Sequence, residues 1–269
     1  MFRNMIPLDK VQRRNYPLGY MRFRNWLLGF SLIRSMEKAD LVIFISEYGK
    51  EIVRSITKNG IKNSVVIPHG VNNIPPQTED SKIKRISNDP YIAYVSTVDV
   101  YKSQLEVVEA YYLLSKENEN LPKLFLVGPW ETMSYVNKIK DRIKQYNLKN
   151  KIELTGGISY REIFEVYKNA EFLIFASKSE NCPNILLESM ACSKAVLCSN
   201  FQPMPEFGKD AVLYFDPENP KDLAVKIRML LEDKKLLNTL ESKSLDRSSV
   251  YDWEECSKKT WSILSELLV

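Results

Sequence analysis

Residues 172–200 read FLIFASKSENCPNILLESMACSKAVLCSN, a stretch that admits few folds. Its first five residues, 172–176, form an apolar run too short for a helix and typical of a strand covered on both faces. Residues 177–182 are polar and predict a loop. Pro183 has no N–H to lose and a φ suited to the first helical turn, so it marks a helix start rather than a break. Ile185, Leu186, Leu187, Met190 and Ala191 give that helix an apolar face, and residues 195–198 supply the next buried strand. A strand–helix–strand unit of this kind closes right-handed on a parallel sheet, and its crevice opens at the carboxyl ends of the strands.

Two carboxylates flank the predicted helix start. Glu180 lies in the loop and Glu188 inside the helix, eight positions on. The first N–H groups of a helix have no intrahelical partner, and the peptide dipoles add there, so this end attracts phosphate. A ligand with phosphate in the middle and hydroxyls at both ends, such as a nucleotide sugar, suits that geometry. A surface loop followed by an ordinary amphipathic helix produces the same spacing, and the spacing does not separate the two.

The alternation continues on either side. From Pro90 to about Asp216, short apolar runs alternate with helical stretches, which predicts one doubly wound α/β domain on a parallel sheet. A shorter unit precedes it: a strand at 40–46, a helix at 47–59 and a strand at 65–68 that ends in His69-Gly70-Val71. A polar, proline-containing segment joins them. The expected division is 1–75, a linker at 76–89, a domain at 90–245 and a closing helix within 246–269, and 269 residues with a 44% hydrophobic fraction are enough for two packed cores.

The string Glu180-Asn181-Cys182-Pro183-Asn184-Ile185-Leu186-Leu187-Glu188, followed by Ser189-Met190-Ala191-Cys192, resembles the E-x7-E motif of the GT-B-fold retaining glycosyltransferases called group 1 or family 4. The likeness extends from about Phe44 to Trp253. It implies a Rossmann-like donor domain beside a partial N-terminal Rossmann-like domain. It also implies that Glu180 contacts the donor sugar and Glu188 the ribose, while the backbone of Asn181, Cys182, Pro183, Asn184 and Ile185 faces the diphosphate. Many members carry glycines after the first glutamate; here Asn-Cys-Pro-Asn stands in their place.

Four further segments agree with the family pattern. After the strand at 91–96, Lys102 stands where relatives have a diphosphate-binding lysine, a cation that offsets charge developing on the leaving nucleotide. Ser96 and Thr97 occupy the places where relatives have glycine and arginine, so that second cation is missing. Gly128 closes the strand at 123–127, and Gly156 and Gly157 close the strand at 151–154, in the loop that lies under the nucleobase in relatives. Pro205, Glu206, Gly208, Lys209, Asp210, Ala211 and Tyr214 resemble a pocket-lining stretch with no chemistry of its own. The end from Tyr251 resembles the family's closing helix, with Trp253, Trp261, Ile263, Leu264 and Leu267 expected to brace the N-terminal unit.

The resemblance also implies several N-terminal strands, carrying much of the acceptor site, that do not precede Asp40; a truncated start and a degenerate copy both account for this. His69, the only histidine, stands at the joint between the units and reads as structural. The first 38 residues carry eight lysines and arginines against Asp9 and Glu37, a local +6 within an overall +4, which leaves −2 for the rest. Residues 22–34, RFRNWLLGFSLIR, mix bulky apolar residues with flanking cations. An interfacial helix on anionic lipid and a helix packed within the N-terminal unit both fit. No base-reading motif accompanies the charge, so nucleic acid is not an expected partner.

Cys182, Cys192, Cys198 and Cys256 have no metal-binding spacing and one histidine accompanies them, so a zinc site is not expected; the resemblance implies no required metal or other cofactor, and reduced thiols suit a cytoplasmic protein. No apolar run reaches the roughly 18 residues of a membrane span. The expected activity is transfer of a sugar from a nucleoside diphosphate to a hydroxyl of a glycan or lipid-linked acceptor. A non-catalytic nucleotide-sugar-binding subunit stays open beside it. An epimerase or phosphorylase on the same fold would need acid/base residues or a pyridoxal lysine that the sequence does not display.

Overall fold

The computed structural model describes residues 5–9, 14, 19–57, 60–71 and 85–267. Most of the linker and the basic residues Arg3, Lys10 and Arg13 lie outside them.

The larger unit is built on a six-stranded parallel sheet. Its strands are β3 (Tyr91–Val95), β4 (Lys123–Val127), β5 (Ile152–Gly156), β6 (Leu173–Phe175), β7 (Val196–Ser199) and β8 (Leu213–Phe215). The first two strands, β1 (Val42–Phe44) and β2 (Ser64–Val66), belong to the smaller unit. The spatial order is β5-β4-β3-β6-β7-β8, so the chain builds outward from β3 in one direction, then returns to build outward in the other. The reversal falls between β3 and β6, where loops leave the sheet on opposite sides and open a crevice.

Tyr91, Ile92, Ala93, Tyr94 and Val95 are all buried, as a strand with helices on both faces requires. Leu173, Ile174 and Phe175 of β6 and Val196, Leu197 and Cys198 of β7 are buried in the same core. Each large apolar side chain there contributes about 1.5–3 kcal/mol relative to exposure. Between the strands run α3 (Gln104–Ser115), α4 (Met133–Gln145), α5 (Tyr160–Asn169), α6 (Asn184–Ala191) and the short α7 (Met204–Gly208). After β8 come α8 (Pro220–Glu232) and α9 (Lys234–Ser248).

The expected helix start at Pro183 is shifted by one residue. Pro183 holds the cap position with φ −80° and ψ 75°, and the helix begins at Asn184. A ψ of that value lies outside the helical range, so the proline ends the loop instead of joining the first turn.

The smaller unit contains α1 (Tyr20–Lys38), β1 (Val42–Phe44), α2 (Glu47–Ile56) and β2 (Ser64–Val66), with β1 and β2 parallel. Met5, Leu8 and Met36 pack with Val42, Phe44 and Val53 to form its core. α1 buries only Asn25, Gly29 and Met36. A β-carbon on Gly29 would lie 2.6 Å from the Pro7 carbonyl oxygen, so the helix sits directly on residues 5–9.

The closing helix α10 (Trp253–Ser265) returns to this unit, through only some of the side chains expected. Cys256 and Ile263 pack with Ile43 and Ile67, while Trp261 is 71% exposed and Leu264 and Leu267 also face outward. Apolar composition on a helix does not say which face finds a partner. Trp253 does engage, stacking on the His69 ring at 5.3 Å, and Val71 N donates to Tyr251 O at 2.9 Å.

Candidate active site

Lys102 and Glu180 come from the two loops that flank the reversal in the sheet. Lys102 ends a short 3-10 turn at Val100–Lys102, which starts where the Asp99 carboxylate accepts from Val100 N at 2.7 Å. Thr132 donates to that same Asp99 oxygen at 2.8 Å, and Tyr94 OH donates to Lys102 O at 2.6 Å. Three hydrogen bonds thus hold the turn, one of them on the lysine carbonyl. Its ammonium makes an ion pair with Glu180 and lies 4.9 Å from the centre of the Tyr101 ring and 5.7 Å from that of Phe175. The side chains are only 6% and 17% exposed, so the pair sits where charges interact far more strongly than in water. Seventy-eight residues separate the partners.

The other strand ends meet nearby. Gly128 N donates to Gly156 O at 3.0 Å, and Gly128 has φ +146°. A β-carbon on Gly128 would stand 2.0 Å from the Ser96 carbonyl oxygen, so only glycine lets β4 leave the sheet this close to Ser96 and Thr97. Gln104 Nε2 ties down the same loop by donating to Thr97 O at 2.8 Å. Gly156 has φ +75° with open space beside it, and Gly157 lies within ordinary contact of Pro129.

Beyond the glycine loop, Ser159 starts α5 with a capping box: Glu162 N donates to Ser159 Oγ at 3.3 Å and Ser159 N to Glu162 Oε2 at 2.8 Å. This fixes Tyr160 beside α6, where its phenol donates to Glu188 at 3.2 Å, and Tyr167, two turns on, lies 3.5 Å from the other carboxylate oxygen. Sequence reasoning missed both tyrosines. Their seven-residue spacing on a helix following the glycine loop was the available signal.

Burial raises the Glu188 carboxyl above its usual pKa, while the two phenols pull it back down. A carboxyl whose folded pKa exceeds its unfolded one favours folding when protonated. That contribution is complete below the unfolded pKa, and it is lost as pH rises through the folded value. At neutral pH the ionised Glu188 is therefore a cost. Glu188→Gln should raise the denaturation midpoint near neutrality and leave it unchanged below about pH 4, a difference that urea titrations at both pH values will show.

The amides ahead of α6 are only partly available. Asn184 N donates to Cys182 O at 2.9 Å, and Pro183 has no N–H. The intrahelical ladder begins with Leu187 N on Pro183 O, which leaves Ile185 and Leu186 N–H in front of it. The side chains of the loop turn toward the smaller unit: Ser46 Oγ donates to Asn181 Oδ1 at 2.7 Å, and His69 Nδ1 lies 3.2 Å from Asn184 Oδ1. Burial pushes the Cys182 thiol up to about 12, so it stays protonated at neutral pH. Among the described residues no group of three or more His, Cys, Asp or Glu could hold a metal ion.

Residues 76–246 match the family described as "Glycosyl transferases group 1". The chain belongs to that family. Among curated relatives of this family member, O-antigen chain mannosyltransferase B of Escherichia coli is 24% identical over 86% of the chain and 61% of the relative. A Campylobacter jejuni N-acetylgalactosaminyltransferase, named for a diphospho-undecaprenol-linked acceptor, is 29% identical over 61% of the chain and 43% of the relative. The chain thus spans about three fifths, or less, of the length of these curated relatives. Anabaena HepE, solved with UDP and glucose, superposes with a TM-score of 0.79 at 18% identity, over 96% of this chain and 70% of that one. Sucrose-phosphate synthase of Thermosynechococcus elongatus superposes with a TM-score of 0.74 at 20% identity, over 89% and 61%. These likenesses establish the GT-B-type arrangement of Rossmann-like units.

Proposed function

We propose that the chain carries the donor half of a retaining glycosyltransferase, moving a sugar from a nucleoside diphosphate to a hydroxyl of a glycan or lipid-linked acceptor. The observation that carries this reading is the meeting of Lys102 and Glu180 across the sheet reversal, beside the start of α6. In this reading residues 90–245 hold the donor and residues 1–75 face the acceptor. The diphosphate takes over the Lys102 ammonium and the Ile185 and Leu186 amides, and the released Glu180 orients the sugar hydroxyls. Glu188, held by Tyr160 and Tyr167, receives the ribose, while Gly156 and Gly157 lie under the base. The bound UDP and glucose of HepE and the lipid-diphosphate acceptor in the name of the Campylobacter relative support the substrate classes.

Incubating the chain with a panel of UDP-, GDP- and ADP-sugars, and following free sugar by NMR, tests the reading: release with the anomeric configuration kept is the expected result. Inversion, or neither binding nor turnover, would refute it. Lys102 and the helix start supply the positive potential here, so EDTA should leave the rate unchanged within about twofold. Thr97→Arg should restore the second cation and tighten donor binding, by about tenfold as judged by calorimetry. One observation favours a binding subunit without catalysis, the absence of a cation at Ser96 and Thr97. Binding without turnover would identify it.

α1 supports a peripheral place on the inner face of the cytoplasmic membrane. Phe23, Trp26, Leu27 and Phe30 are 45–64% exposed, and Arg24 and Arg34 accompany them. Aromatic side chains flanked by cations suit a headgroup layer. No helix of the described residues is long and apolar enough to cross a membrane. Sedimentation with phosphatidylglycerol vesicles, but not with phosphatidylcholine vesicles, is the expected outcome.

A further inference from the structure

The loop that carries Glu180 has little regular structure of its own, and its neighbours reach into the other unit. Ser179 Oγ lies 3.3 Å from Asp9 Oδ2. On the other side of Glu180, Asn181 accepts the Ser46 hydroxyl at 2.7 Å. Ser46 is fully buried and is the cap of α2, so the same oxygen accepts from Gly49 N at 3.0 Å. Its single proton goes to Asn181, and one hydroxyl therefore joins the helix start to the loop.

A second tie meets the same turn. Glu206, in the middle of the short α7, accepts Glu47 N at 2.8 Å and Tyr48 N at 3.0 Å with its two carboxylate oxygens. Two amides that no helical carbonyl can reach are thereby satisfied across 159 residues of chain, with the charge placed at the positive end of the helix dipole. Arg247 holds α7 in turn, donating to Phe207 O at 2.8 Å and to Glu206 O at 3.1 Å. The first turn of α2 is gripped between Asn181 and Glu206, and both grips are polar and directional.

We propose that Ser46, Asn181 and Glu206 are positioning residues that clamp the first turn of α2 to the Glu180 loop and so hold Glu180 against Lys102. The inference rests on the donor-site reading for its effect on catalysis, and on geometry alone for its effect on the loop. Neither Ser46 nor Glu206 meets the donor in that reading; each acts through the loop.

Gly49 provides a clean lever. A β-carbon there would fall 2.6 Å from Asn181 Oδ1, the tip of a side chain that can turn away. Gly49→Ala raises helix propensity in α2 and breaks the Ser46–Asn181 bond, so the variant folds while the clamp opens. Glu206→Ala opens the second grip independently.

Amide hydrogen exchange on the full chain, read on residues 46–50 and 177–183, is the deciding measurement. Both variants should keep the parent's circular dichroism and exchange about tenfold faster in 177–183. With the sugar nucleotide most readily hydrolysed in the UDP/GDP/ADP panel, kcat should fall about tenfold or more while KM stays near the parent value. Unchanged exchange at 177–183 in both variants would overturn the clamp, as would a kcat within twofold of the parent's in both. If the parent hydrolyses no sugar nucleotide, the transferase reading fails alone and the exchange data still decide the clamp.

Discussion

Glu180→Ala is expected to abolish sugar transfer and to destabilise the protein as well. The sequence suggests a loop carboxylate that adds little to the core, so that its loss would leave the fold intact. The ion pair with Lys102 changes that expectation. Removing Glu180 strands an ammonium whose side chain is 6% exposed, and breaking a buried pair from one side costs about 3 kcal/mol. The rate should fall by at least about a hundredfold, because both the sugar contact and the orientation of Lys102 are lost. Lys102→Met combined with Glu180→Leu separates the two effects. The double variant removes both charges, so most of the stability should return while transfer stays absent. Urea titration and donor hydrolysis on the single and double variants measure both. Equal activity in the parent and Glu180→Ala would remove Glu180 from the mechanism.

Gly128→Ala should be at least as damaging, through sterics alone. Its β-carbon would meet the Ser96 carbonyl oxygen at 2.0 Å, a backbone atom that cannot swing aside, and φ +146° is closed to alanine. Strain and displacement together should cost about 3 kcal/mol or more, seen as a large drop in the urea midpoint. Gly156→Ala offers the contrast: φ +75° is strained, but the space beside it is open, so a cost of about 1 kcal/mol is expected.

These cases show which properties the sequence displays. The strands of the large sheet were legible because β3, β6 and β7 are short apolar runs between polar turns, and burial on both faces writes that pattern directly. The E-x7-E string and the lysine after β3 marked the candidate residues in the sequence. Their pairing was not legible, since Lys102 and Glu180 lie 78 residues apart and meet only when the sheet order reverses. Glu206 was invisible as anything more than a lining residue, because a carboxylate bonded to backbone amides leaves no mark on the sequence of its partner. The closing helix was legible in part: Trp253 and Ile263 engage as expected, but Trp261, Leu264 and Leu267 are apolar yet exposed, and Cys256 makes a contact its sequence did not announce.

If the proposed donor reading holds, the Lys102–Glu180 ion pair would also act at the end of the catalytic cycle. While the sugar is attached, the ligand answers both charges, phosphate for one and hydroxyls for the other. Once the sugar has left, the spent nucleotide can hold the lysine only by leaving the glutamate unanswered. In that reading the carboxylate would then compete for its old partner and help to expel the by-product, a built-in ejector that would reset the pocket for the next turnover.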